Sequence, residues 1–142
     1  MSAEDGIRRI LATGAQKIDE GDVEGYVSLF SKNALLVTRT NQFEGREAIR
    51  AGITAAFGTW PPGSATKHHI GGSVINVEGD TAQAVTDLVV FQCLAEGGWA
   101  VLQAGRYRDS FLQEDGEWRI SRRQVQADVF HRATYQGSEV RP

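Results

Sequence analysis

Two groups of side chains in this chain have the chemistry to move a proton or hold an anion: Asp19 with His68 or His69, and the arginines gathered towards the C-terminal end. Asp19 lies four residues after Ala15 and eight after Leu11, on the apolar stripe of a helix and not on its wet side. A carboxylate facing inward needs a partner. The plain alternative is a helix-end residue that curls back to solvent or caps a backbone amide. His68 and His69 are neighbours on an expected strand, so they face opposite sides of the sheet and only one can enter a cavity. A lone strand histidine is otherwise structural. An inward aspartate beside an inward histidine would form a general base, the carboxylate orienting the imidazole and making it more basic. Asp22 is accounted for as a helix N-cap.

Arg106, Arg108, Arg119, Arg122 and Arg123 fall in the last two expected strands, where most should form cross-strand ion pairs with Asp109, Glu114, Glu117 and Asp128 on the outer face. Arg122 and Arg123 are adjacent, so one of them points the other way. An arginine directed into an apolar cavity would bind an anionic group or stabilise developing negative charge. Metal binding is argued against by the small ligand set: one further histidine, His131, one cysteine, Cys93, and no helical ligand pair at four-residue spacing. Cys93 has no adjacent base and reads as a buried strand residue. The glycines of Ile70-Gly71-Gly72 lack the strand-to-helix context of a phosphate-cradling loop.

The elements that must position these residues follow from periodicity. Ile7, Ile10, Leu11, Ala15 and Ile18 predict a helix over about 4–20, closed by Gly21. Val23, Tyr26, Val27 and Phe30 predict a second, ending near Ser31-Lys32-Asn33. Ala34 to Thr38 reads as a brief strand, and Glu44-Gly45-Arg46-Glu47 leads into a third helix carrying Ile49, Ile53, Ala56 and Phe57. After the loop Gly58 to Ser64 the chain reads as a four-stranded antiparallel meander: Thr66–Glu78, Thr81–Leu94, Trp99–Gln113 and Glu117 to about Phe130. Helices first and a long meander second is an α+β pattern, in which a strongly curved sheet wraps the helices and encloses a pocket.

Its 142 residues make one domain, 1–142, with a core over about 4–130 and a polar tail over 131–142 that frays or packs on a neighbouring subunit. Hydrophobic residues at 41% and charged ones at 23% exclude disordered, collagenous and coiled-coil classes. A net charge of -3 without a basic block argues against nucleic acid as a partner. Nothing approaches the ~20 apolar residues of a bilayer span. A single cysteine and an acidic, small-residue start fit a cytoplasmic protein.

Ile18-Asp19-Glu20-Gly21-Asp22, Glu44 to Ile49, Lys67-His68-His69-Ile70-Gly71-Gly72, and Gly105-Arg106-Tyr107-Arg108-Asp109 followed by Asp115 to Ile120, in this order and spacing, resemble the SnoaL-like branch of the nuclear transport factor 2-like superfamily. The resemblance covers nearly the whole chain to about residue 130. It implies a cone-shaped α+β barrel of the cystatin-like type, three N-terminal helices packed in a strongly curved mixed sheet around one deep, mostly apolar pocket, in a homodimer or homotrimer. In scytalone dehydratase and hexachlorocyclohexane dehydrochlorinase the catalytic pair is an aspartate near the end of helix one and a histidine early in the meander, positions matched here by Asp19 and His68. By the same match Leu88, Val90, Gln92, Tyr107 and Arg123 would look into the cavity, joined by Phe30 and Trp60. Ile18 and Gly14 stand where scytalone dehydratase and bile-acid dehydratases carry tyrosines. The implied activity is a lyase or isomerase without cofactor or metal, acting on a hydrophobic small molecule. The alternative on the same fold is a non-catalytic ligand-binding domain or the small subunit of an enzyme.

Overall fold

A computed structural model describes residues 1–60 and 65–127; the expected tail and the expected end of the last strand at 128–130 lie outside them. Its elements run α1 (Ala3–Glu20), α2 (Val23–Val27), β1 (Phe30–Val37), β2 (Gln42–Glu44), α3 (Gly45–Gly58), β3 (Ala65–Glu78), β4 (Thr81–Cys93), β5 (Trp99–Glu114) and β6 (Glu117–Ala127). Ser2 caps α1, its hydroxyl accepting from the Asp5 amide at 3.1 Å while the Asp5 carboxylate accepts from the Ser2 amide at 3.2 Å. Gly21 closes that helix in the left-handed region at φ 73°, where glycine meets no Cβ clash. Asp22 caps α2 by accepting from the Gly25 amide at 2.8 Å.

The second helix stops short of the expected end. Phe30 opens β1 instead, because β1 pairs in parallel with β6 and the Leu29 carbonyl accepts the Ile120 amide at 2.8 Å. Phe30 is buried in either geometry, so helical spacing could not tell the two apart. The short β2 is an unexpected element that pairs with β1 and precedes α3.

The four expected meander strands extend into a six-stranded sheet of order β2-β1-β6-β5-β4-β3, mixed because β1 and β6 are parallel. Asp115 and Gly116, both at positive φ, make the tight β5–β6 turn. Irregularities in the ladders at Ile70/Ser73, Val90/Phe91 and Ser110/Phe111 bend the long strands, so that the sheet curves without closing. The concave side holds the main core: Ile7 and Leu11 of α1, Tyr26 and Val27 of α2, Phe30 and Leu36 of β1, Ile49 of α3, Ala82 and Ala84 of β4, Phe111 and Ile120 from the last two strands. Each large member buried to this degree contributes roughly 2–3 kcal/mol of transfer free energy. No helix among the described residues is long and apolar enough to cross a membrane.

One close approach fixes the β5–β6 packing. A Cβ at Gly105 would lie 2.2 Å from the Gln126 carbonyl oxygen, whereas one at Gly72 would meet nothing within 4 Å. Gly105→Ala is therefore expected to destabilise the fold by about 2 kcal/mol or more, since backbone would have to shift. Gly72→Ala should lie within about 0.5 kcal/mol of the parent, being a surface change that touches nothing. Urea denaturation of the two variants checks the contrast; equal midpoints would refute the packing argument.

Candidate active site

Asp19 sits in the last turn of α1, where the carbonyl ends of a helix disfavour negative charge. β3 compensates with three kinds of donor. The His68 backbone amide lies 3.0 Å from both carboxylate oxygens, the Thr66 hydroxyl donates to Oδ1 at 3.2 Å, and His68 Nδ1 is 2.7 Å from Oδ1. The contact occupies Nδ1, so that in the neutral ring the proton sits there and the lone pair is on Nε2. Nε2 has no hydrogen-bond partner among the described residues, and the two side chains retain 13% and 15% exposure. Strand alternation puts Thr66, His68 and Ile70 on the inner face and leaves His69 exposed outside.

Leu88, Val90 and Tyr107 form a second buried apolar cluster, with Ile70 and Val125 against it, separate from the main core. Val90 is the ladder partner of His68, and Gln92, half-buried, is the partner of Thr66. The structure thus brings Leu88, Val90, Gln92 and Tyr107 to the side of the sheet that carries the Asp19–His68 contact. Phe30 goes elsewhere: it lies in the main core, its ring 5.1 Å from that of Tyr26. Trp60 stacks edge-on against Phe57 at 5.1 Å beyond the end of α3. Concavities of about 360 and 270 Å³ open beside Asp87 and Arg106, and beside Gln83 and Ser110. Asp19 and His68 line neither of these two.

Arg123 points inward and Arg122 is exposed. Asp109 departs from the sequence reading. It was expected on the outer face, but it is buried directly across the ladder from Arg123 and takes its guanidinium in a two-point ion pair, Nε–Oδ1 2.9 Å and Nη2–Oδ2 2.8 Å. Arg123 Nη1 donates to the Tyr26 hydroxyl at 3.4 Å, and its guanidinium carbon lies 4.0 Å from the centroid of the Tyr107 ring. Burial works against the Arg123 charge, and Asp109 outweighs it, holding the group above its ordinary range. Burial likewise pushes the Tyr107 phenol up, with Arg123 opposing and Tyr26, Asp109 and Asp19 reinforcing. Thr66 and Asp109 are the site residues the sequence reading missed. Both share strand parity with residues it found, Thr66 with His68 and Asp109 with Tyr107, and that parity was the available signal. No group of histidine, cysteine, aspartate and glutamate side chains among the described residues is placed to hold a metal ion.

Removing one member of the buried pair strands the other. Arg123→Met should cost about 3–5 kcal/mol of stability, while Arg123→Met with Asp109→Leu should recover most of it, because no charge is then buried unpaired. A double variant as unstable as the single one in urea would refute the pairing. The raised Tyr107 phenol makes a second expectation. Its contribution is complete below the ordinary phenol value of about 10 and declines as pH rises beyond it, because the unfolded chain then loses the proton first. Stability measured from about pH 9 to 11 should fall less steeply in Tyr107→Phe than in the parent.

The family model for the SnoaL-like domain matches residues 1–124. No functionally curated protein matches the chain. Among solved structures, an NTF2-like protein with a cystatin-like fold from Novosphingobium aromaticivorans is 27% identical, with a TM-score of 0.79 over 96% of this chain and 88% of that one. Two others from the same organism share the fold. The beta subunit of a candidate aromatic-ring-hydroxylating dioxygenase is 24% identical, TM-score 0.76, over 89% and 90% of the two chains. A candidate scytalone dehydratase is 20% identical, TM-score 0.76, over 89% and 84%. With the three helices, the curved mixed sheet and a family match over residues 1–124, the chain belongs to the SnoaL-like domain family.

Proposed function

We propose that the chain is a cofactor-independent lyase or isomerase, dehydratase- or cyclase-like, that acts on a hydrophobic small molecule with His68 as general base and Asp19 as the carboxylate that positions it. The observation that carries this reading is the 2.7 Å contact of His68 Nδ1 with Asp19, which leaves Nε2 bare beside an apolar cluster. In such a step Nε2 takes a proton from carbon, and the electron pair of the broken C–H bond moves into an enolate or expels a leaving group from the adjacent carbon. Asp19 stabilises the imidazolium that forms, and the proton returns to the product or the leaving group. Leu88 and Val90 supply the apolar wall. Gln92 and Tyr107 offer donors to the developing oxyanion. Likeness in fold to a candidate scytalone dehydratase supports a reaction of this class. The working form is a cytoplasmic homodimer or homotrimer.

A second reading is a non-catalytic small subunit, favoured by Trp99, Val101 and Leu102 on β5, exposed to 57%, 57% and 51%, and by the fold shared with a dioxygenase beta subunit. The two readings separate on bicyclic aromatic ketones. With 1-tetralone in D₂O, deuterium uptake next to the carbonyl reports proton abstraction; with 3-hydroxy-1-tetralone, loss of water to 1-naphthol reports elimination. His68→Ala should lower the enzyme-dependent rate at least ~10²-fold, Asp19→Asn should slow it by a similar factor while ligand binding persists, and His69→Ala should leave it unchanged. Binding of the ketones without exchange or elimination, or full rate in His68→Ala, overturns the catalytic reading.

A further inference from the structure

We infer, on the acid–base reading above, that the substrate oxygen is met by the Tyr107 hydroxyl and not by Arg123, and that the site selects an uncharged carbonyl or hydroxyl compound over a carboxylate. The inward arginine invites the opposite conclusion, since guanidinium is a common anion receptor. Its surroundings rule that out. Arg123 is 1% exposed, its Nε–Nη2 edge is taken by Asp109, its other terminal nitrogen, Nη1, reaches Tyr26, and one of its faces lies against the Tyr107 ring. The pair is electrically neutral and sealed.

No other cation on the inner face takes its place among the described residues. Lys17 is held by Glu20 and Asp22, Arg106 by Asp87, and Lys67, Arg108 and Arg122 are exposed on the outer strand positions. With His68 in the neutral form that the general-base step requires, Asp19 gives the site a negative sign, and an anionic ligand is then repelled as well as desolvated.

Tyr107 has the properties a neutral oxygen needs. Its hydroxyl makes no hydrogen bond among the described residues, and the residue keeps 8% exposure. The ring is fixed by Leu88 and Val90 on its apolar surroundings and by the Arg123 guanidinium on one face. Burial keeps the phenol protonated, hence a donor. Gly14 makes room for this arrangement: a Cβ there already reaches 3.7 Å from Tyr26 and 3.9 Å from Arg123 Nη1, so a bulkier residue would displace the clamp. Asp109 and Arg123 are in this sense positioning residues for Tyr107.

Three ligands of one shape test the inference: 2-acetonaphthone, 2-naphthoate and naphthalene, titrated into the full chain by calorimetry at neutral pH. The parent should bind the ketone at least ~10-fold more tightly than the carboxylate. Tyr107→Phe should weaken the ketone about 5–10-fold and leave naphthalene unchanged, the loss of one hydrogen bond. In the infrared, the carbonyl band of the bound ketone should lie below its position in water-free solvent, return in Tyr107→Phe, and broaden in the folded double variant Arg123→Met with Asp109→Leu, effects that a purely structural role would not produce. Carboxylate bound as tightly as ketone, or a carbonyl band indifferent to Tyr107→Phe, overturns this inference alone. Failure of all three ligands to bind removes the apolar site itself, and the proposed function with it.

Discussion

Charge on the inner face of a sheet that wraps its own helices is largely cut off from water, and every ionic group placed there must be met by polar groups of the chain. Two centres of this kind stand out among the described residues, Asp19 and the Arg123–Asp109 pair, and each organises the structure near it. The Asp19 carboxylate, set against the negative end of α1, draws a backbone amide, a hydroxyl and an imidazole from β3. The Arg123 guanidinium draws Asp109 from the neighbouring strand and two phenol rings. In the first case the partner groups leave a reactive atom bare. In the second they leave none. That difference separates a group suited to proton transfer from one suited to holding others in place.

Strand phase decides which histidine takes part. Thr66, His68 and Ile70 face inward before the irregularity that follows Ile70, and Ser73 and Ile75 face inward after it, so inward positions change from even to odd at Gly71-Gly72. Counting back by twos from Ile75, which packs against the main core, would place His69 inside. The sequence shows alternation but not where it slips. For that reason the residues alone left His68 and His69 open, and only the resemblance, through its stretch around the two glycines, chose between them.

Helix one, the four long strands and their turns were legible because each carries an unbroken period and a turn signal, such as Asp115-Gly116. Phe30 was not, because a buried residue at a helix–strand junction satisfies both periods. Asp109 was misread through an assumption about composition. Composition alone assigns carboxylates among strand arginines to the outer face as their partners, although Tyr107, Asp109 and Phe111 alternate inward against Arg106, Arg108 and Ser110. Pairing across the sheet is a long-range fact: only the β5–β6 register brings Asp109 opposite Arg123, and that register is set by the turn at Asp115-Gly116 and the irregularity at Ser110/Phe111.

A buried ion pair is a weak source of stability, since two apolar side chains of similar volume fill the same space without a desolvation cost. Its physical advantage is directional. A two-point carboxylate contact fixes the plane of the guanidinium, and a fixed plane is a flat surface on which an aromatic ring has one preferred stacking. Leucine or methionine in that place would pack against Tyr107 with no comparable preference for the ring's tilt. The direction of the phenol hydroxyl, which neither Leu88 nor Val90 can specify by contact alone, then follows from the Asp109–Arg123 geometry. What the pair contributes is therefore read in the orientation of a neighbour, and the fold's cohesion is left to the apolar core beneath it.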